Sequence, residues 1–396
     1  MSKRSPDHRS CQRSLSAADR PHLHQKSTSQ ATEVSVVLSQ GHLCRILREM
    51  FPLGWAGLFF LAVSLQCSPV GESHNQEKIS RSIPQIDTKT ASPVIAKTVL
   101  PFSLAVAGRG EQIYLGRGRE LLVFEKRGNS QPDLRGRLSL EGEVRDIVTV
   151  GPIVYVAVLG SGLAIVDVTE PSQLHITGFS ELPLAEGVDV ESSRAYLAVR
   201  EEGLVIIDVA DSSHPTELGR YQTQEGALKV SVKGQLAYVA ASYAGMRILD
   251  IGDPAKVLEV GFTTRGSYGQ GSAWGIAVAG DRAYSAIPDN GLRQVDISDP
   301  NKARTLSIYR NLHAPIAVAI RGDYVFVADQ NDGLVILDRR RDFMREVARL
   351  DFEDSVTDIH IAGSMVYVAL KRSGFAVVDV INPIRPKRVT RVRLEE

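Results

Sequence analysis

Seven acidic residues recur at near-equal intervals: Glu125, Asp167, Asp208, Asp250, Asp296, Asp338 and Asp379, spaced 42, 41, 42, 46, 42 and 41 residues apart. Paired carboxylates do general acid–base work, and clustered ones hold cations. Seven equivalent carboxylates spread evenly along a chain cannot all converge on one substrate. Their spacing points to a repeated structural task, accepting the backbone N–H groups of the turn that follows each one. Chemistry is expected where the copies differ, and two groups of residues differ. Tyr243, Tyr268, Asp289, Asp329, Trp274 and His313 lie in variable connections and form an aromatic and polar set suited to binding. Asp146, Lys229 and Asp358, with His360 two residues on, form a second set able to hold a cation or ordered water. That second set lacks the clustered histidines or paired acids of metal catalysis or proton transfer, so no cofactor is expected and any metal stays undefined.

The elements that position these residues are read from the repeat around each acid. The strings GLAIVD (162–167), GLVIID (203–208), GMRILD (245–250), GLRQVD (291–296), GLVILD (333–338) and GFAVVD (374–379) are copies of one unit. A weaker copy, ELLVFE (120–125), has Glu120 in place of glycine and Glu125 in place of aspartate. Tyr155, Tyr196, Tyr238, Tyr284, Phe326 and Tyr367 each stand twelve residues before their acid, and Tyr114 stands eleven before Glu125. Self-similarity at this period marks a repeat architecture.

Each unit reads as four strands, a to d. In the second copy they are 144–150, 153–159, 162–168 and 174–180, separated by Gly151-Pro152, Gly160-Ser161-Gly162 and Glu170-Pro171-Ser172. Strands b and c are apolar on both faces, as blades packed face to face require, whereas a one-sided sheet alternates. Helical periods and caps are missing. The fold class is therefore all-β: a seven-bladed β-propeller with four antiparallel strands per blade, over residues 94–396. Closure leaves two choices for the last blade, 388–394 (RVTRVRL) or 93–100 (PVIAKTVL).

The unit resembles the LVIVD repeat, a family of bacterial and archaeal surface-associated propellers, including the Asp253-Pro254, Asp299-Pro300 and Asn382-Pro383 turns after strand c. That resemblance covers all seven copies. It implies the fold and an extracytoplasmic setting, and it implies no reaction.

The d–a and b–c loops share one face, the usual binding face of a propeller. The longest d–a connection, Thr263 to Trp274, accounts for the 46-residue interval and carries the propeller's tryptophan. Strand a should line the channel, with Asp146, Gly187, Lys229, Gly275, Ala317 and Asp358 nine residues before the recurrent aromatic.

The first hundred residues differ in kind. Residues 1–42 are polar and without pattern, which fits disorder or a misplaced start. Residues 43–67 contain Arg45 and Arg48 followed by the apolar run 51–63 and then Cys67, the order of parts in an export signal. Cys67 resembles the lipidated cysteine of a bacterial lipoprotein, although Ser64 and Gln66 depart from that pattern. A cleaved signal and an uncleaved anchor are the alternatives. Residues 68–93 read as a tether.

Lys plus Arg (46) equal Asp plus Glu (46), so no net field drives the chain onto nucleic acid. All three cysteines, Cys11, Cys44 and Cys67, precede the repeats, so the propeller has no disulfide framework. These readings favour a monomeric, non-enzymatic binding propeller, displayed in the cell envelope on a lipid or other anchor and taking a protein or glycan partner. An enzyme using the channel mouth, and a cytosolic scaffold, are the competing readings.

Overall fold

The computed structural model describes residues 102–394, apart from 129 and 264–271. These residues form seven four-stranded antiparallel sheets, each contiguous in sequence and each hydrogen-bonded in the order a-b-c-d. Blade 2 is representative: Glu143–Val150, Ile153–Leu159, Gly162–Asp167 and His175–Glu181. The seven inner strands a are Ser103–Arg109, Glu143–Val150, Ala185–Glu191, Lys229–Lys233, Gly275–Ala279, Pro315–Arg321 and Val356–Ala362. Among the described residues regular helix is limited to two 3₁₀ turns, Pro254–Lys256 and Pro300–Lys302, each capped by the aspartate before its proline.

The core lies between blades. The recurrent aromatics are 0–6% exposed and sit in the apolar layers that join one blade to the next. Each such burial is worth about 1.5–3 kcal/mol, which is why the aromatic recurs. Burial also pushes the Tyr114 phenol up to about 12, while its hydroxyl still donates to Gln112 Oε1 at 2.6 Å.

The recurrent acids do the predicted structural work. Asp167, Asp208, Asp250, Asp296, Asp338 and Asp379 each accept the backbone N–H two residues on, at 2.7–3.2 Å. Glu125 is one carbon longer and instead pairs with Arg127 and Arg135. The glycine that opens strand c has two reasons to be glycine. At Gly203 φ is +88°, and a Cβ there would lie 2.2 Å from the Tyr221 carbonyl oxygen of strand d. Blade 1 tolerates Glu120 because its tight turn places the positive φ (+55°) two residues earlier, at Gly118.

Closure uses the C-terminal strand. Lys387–Arg393 pairs with strand c of blade 7, so among the described residues every blade is made from its own repeat. Residues 93–100 lie outside the described residues. Blade 7 meets blade 1 through an apolar layer that includes Phe124 against Phe375, with ring centroids 5.0 Å apart at 64°. Asp358 Oδ2 accepts the Val106 N–H across that junction at 3.0 Å.

Candidate binding site at the channel mouth

In five of the seven inner strands one residue is skipped in the pairing with strand b: Leu104, Arg145, Glu186, Ile316 and Thr357. A β-bulge of this kind leaves the extra residue unpaired and re-aims its side chain. In blades 4 and 5 the corresponding residues, Leu228 and Trp274, immediately precede the strand, held by N–H bonds to the Ala240 and Ala286 carbonyls. All seven line one cleft of about 470 Å³ at the upper mouth of the ring. They are the residues ten places before the recurrent aromatic, and among them are leucine, arginine, glutamate, tryptophan and threonine.

Glu186 is the electrostatic centre of one wall. Its carboxylate is 5% exposed and paired with Arg145 Nε at 2.7 Å and with Arg200 of the b–c loop. Arg145 also reaches Glu143 at 3.5 Å, and Glu225 lines the same side, so this wall is a charge network in which two guanidinium groups remain partly open to solvent. Opposite in character is the aromatic wall. Tyr243 is 56% and Trp274 46% exposed, although both line the cleft. Their loops are clipped together by the Ser242–Ala273 bridge and by a 2.9 Å Ser242–Ser272 hydroxyl contact.

The floor is a buried charge network. Lys229 Nζ donates to Asp146 Oδ1 at 2.6 Å, while Asp146 Oδ2 accepts the Val188 N–H at 2.8 Å. Lys229 belongs to blade 4 and Asp146 to blade 2, so the lysine stem crosses blade 3. Gly187 makes that crossing possible, since a Cβ there would lie 3.0 Å from Lys229 Cα and 3.4 Å from its Cδ. Burial acts to lower the Lys229 pKa, but Asp146, Asp358 and Asp189 outweigh it and hold the ammonium above its ordinary range. Burial lifts the Asp358 carboxyl to about 6, with Lys229 pulling back and Asp146 pushing further. Asp189 is likewise raised by burial, and its carboxylate takes the Val232 and Val190 N–H groups. Burial lowers His360, whose ring is held by backbone at Gly108 of blade 1.

Of the residues singled out in the sequence, Tyr243, Trp274, Lys229 and Asp358 meet at this cleft. Asp146 lies beneath it as the partner of Lys229, and His360 sits deeper on the blade 7–blade 1 junction. His313 stands on the rim of blade 6, bonded through Nδ1 to Asp332 at 2.8 Å. Asp289 is exposed at a φ of +64° in its turn, and neither it nor His313 lines the cleft. Asp329 is fully buried, with its oxygens occupied by the Ala314, Asn331 and Asp332 N–H groups, which makes it a loop brace. Tyr268 and Cys67 fall outside the described residues. Among the described residues no cluster of His, Cys, Asp and Glu is arranged to hold a metal ion.

The residues that sequence reasoning missed are Arg145, Glu186 and Arg200. The expected channel position, nine before the aromatic, supplies only Lys229, Ala317 and Asp358 to the cleft, because the bulge turns the preceding residue inward instead. The signal was present in the adjacent column, where apolar, basic, acidic and aromatic residues alternate without a consensus.

The LVIVD-repeat model matches residues 141–179, 185–223, 226–264, 270–309, 316–338 and 354–393. Blade 1, with its two glutamates, and the arginine-rich second half of blade 6 lie outside those matches. No curated protein sequence matches the chain. Among solved structures, the computationally designed Ika8 protein superposes with a TM-score of 0.55 at 11% identity, over 74% of this chain and 89% of that one. A structure of U3-55K gives 0.56 at 10% identity, over 70% and 90% of the two chains. Sqt1 of Saccharomyces cerevisiae gives 0.55 at 10%, over 73% and 85%. At such identities the likeness is one of fold.

Proposed function

The chain belongs to the LVIVD-repeat family, and from that premise we propose that it is a non-enzymatic binding propeller whose ligand site is the upper channel mouth. One observation carries the reading: all seven blades send the same structural position into a single cleft, and six residue types occupy it, with only Leu104 and Leu228 alike. A repeated fold that diversifies one converging position gives a surface with a composition of its own. The exposed faces of Tyr243 and Trp274 suit a sugar ring or an apolar side chain, and Arg145 and Arg200 suit a carboxylate or hydroxyl groups beside it. A protein or glycan partner meets that description.

The test is capture from a glycan array and by cross-linking to envelope proteins, comparing wild type with Tyr243→Ala/Trp274→Ala. The double variant should lose the captured partner by tenfold or more, roughly one hot-spot side chain's worth, and keep its melting temperature. Equal capture by both would end the proposal. The raised carboxyl of Asp358 beside Lys229 favours a second reading, an enzyme at the same mouth. Turnover of a captured ligand that disappears in Asp358→Asn would replace the binding reading with that one.

The same reading puts the propeller outside the cytoplasm, tethered through Cys67 after the apolar run 51–63. Radioactive palmitate incorporated by wild type and not by Cys67→Ala would support it. An unlabelled, cytosolic protein would favour a scaffold instead.

A further inference from the structure

The formal neutrality of the chain conceals a division of charge around the ring. From the acid that ends strand c to the end of strand d, blades 6, 7 and 1 carry +2, +4 and +2, while blades 2, 3 and 4 carry −3, −2 and −2. Blades 7 and 1 are neighbours because the ring closes there, so the three basic blades are contiguous. Much of that charge sits on the c–d turns (Arg340, Arg341, Arg385 and Arg127) and on the first residue of strand d (Arg345 and Lys387), at the end of the blades opposite the channel mouth.

The same turns expose large apolar side chains. Ile381 is 76%, Phe343 57% and Ile384 51% exposed. In the aligned turns of blades 2 to 5, the position of Ile381 holds Thr169, Ala210, Gly252 and Ser298, and that of Ile384 holds Ser172, Ser213, Ala255 and Asn301. Nothing in the turn itself needs an isoleucine, since Asp379 and Asn382 make the same backbone bonds as their counterparts. In blade 6 the turn opens a cleft of about 500 Å³ lined by Arg340, Arg341, Arg345 and Phe343, with Asp338 at its edge.

We propose that the lower face of blades 6, 7 and 1 docks on an anionic lipid bilayer. The aliphatic tips enter the acyl boundary, and the flanking guanidinium and ammonium groups take the headgroup phosphates. A nucleic acid or acidic polysaccharide would use the basic groups and leave the isoleucines in water, which is why the bilayer fits better. The acidic turns of blades 2 to 4 share this end of the ring, with blade 2 directly beside blade 1, so the ring docks tilted, with its basic side down. Docking by this face leaves the channel mouth pointing to solvent, free for a partner, but the inference does not depend on the mouth being a binding site.

Among the described residues every strand pairing and core layer belongs to the seven blades, so a fragment of residues 92–396, one compact unit, carries all of them and lacks the apolar run. The experiment is co-sedimentation of this fragment with vesicles of phosphatidylcholine alone or mixed with phosphatidylglycerol. Each basic residue near an anionic leaflet is worth about a fivefold gain in binding, so Arg341→Gln/Arg385→Gln/Lys387→Gln should weaken binding about 100-fold. Ile381→Ser/Ile384→Ser restores the residue class of the other blades and should weaken binding about tenfold with no change in melting. Wild-type binding to the anionic vesicles alone, lost in both variants, is the expected result. Equal binding to neutral and anionic vesicles, or no binding, overturns it. Binding to duplex DNA or heparin that ignores the serine variant overturns it in favour of a polyanion site. Self-association lost in the glutamine variant, without vesicle binding, overturns it in favour of contact with the acidic blades of a second copy.

Discussion

Replacing Lys229 by methionine removes the ammonium that neutralises the channel floor and keeps the stem that crosses Gly187. At 2.6 Å, and with an effective dielectric of 20, the gross attraction between Lys229 and Asp146 is about 6 kcal/mol. Most of that offsets desolvation, because the two side chains are only 28% and 5% exposed. What the variant loses is the penalty of a buried carboxylate left without its counter-charge, about 3–5 kcal/mol at neutral pH. Asp358 feels the same change, since Lys229 pulls back a carboxyl that burial raises to about 6. Without the ammonium that carboxyl rises further above its unfolded value, so its contribution to stability is fully present below the unfolded pKa and is lost as pH rises through the new native one. The penalty should therefore be small near pH 4 and full at pH 8. For a unit of this size it corresponds to a fall in Tm of roughly 6–10 °C at the higher pH. Thermal melts of wild type, Lys229→Met, Asp146→Asn and the double variant across that range measure it. The double variant should recover most of the loss, since neither charge then remains. A penalty that does not change with pH, or a double variant no better than Lys229→Met, would refute the coupling across blade 3.

Asp358 gives a prediction of its own: its carboxyl is raised to about 6 by burial, so it contributes stability below about pH 4 that is withdrawn as pH rises through 6, roughly 3 kcal/mol in all. Asparagine keeps the acceptor for Val106, and denaturant melts of Asp358→Asn should lack that pH-dependent fall; an unchanged profile would remove Asp358 from this role. Gly203→Ala places a Cβ 2.2 Å from the Tyr221 carbonyl oxygen and should cost about 3 kcal/mol or more, whereas Gly234→Ala, at φ +61° with nothing within 4 Å, should cost about 1 kcal/mol. Equal losses in urea melts would show that backbone conformation, and not the approach of strand d, decides the glycine of strand c.

Asp167 and its counterparts were legible as turn acceptors because an Asx turn is a local event, decided within three residues. The buried aromatics were legible for a similar reason: a recurring Tyr or Phe in a strand apolar on both faces has to lie between blades. Arg145 and Glu186 were hidden by a one-residue offset. Counting back from the aromatic assumes unbroken pairing, and a β-bulge shifts the inward position by one without any fixed residue to announce it. Asp329 was misleading in the other direction. Its loop position suggested binding, and only its three backbone N–H partners and complete burial identify it as a brace.

By itself the sequence determined the blade count, the four strands of each blade, the turn chemistry and the family, because each of these repeats at a fixed interval and depends on contacts made within one unit. Tertiary structure decided what depends on units far apart in the chain. It chose Lys387–Arg393 as the closing strand, carried Lys229 across a glycine to Asp146, and brought seven divergent side chains to one mouth. It also set the basic turns of blades 6 and 7 beside those of blade 1, at the other end of the propeller sequence. Only closure of the ring makes such residues neighbours, and charge acts through space.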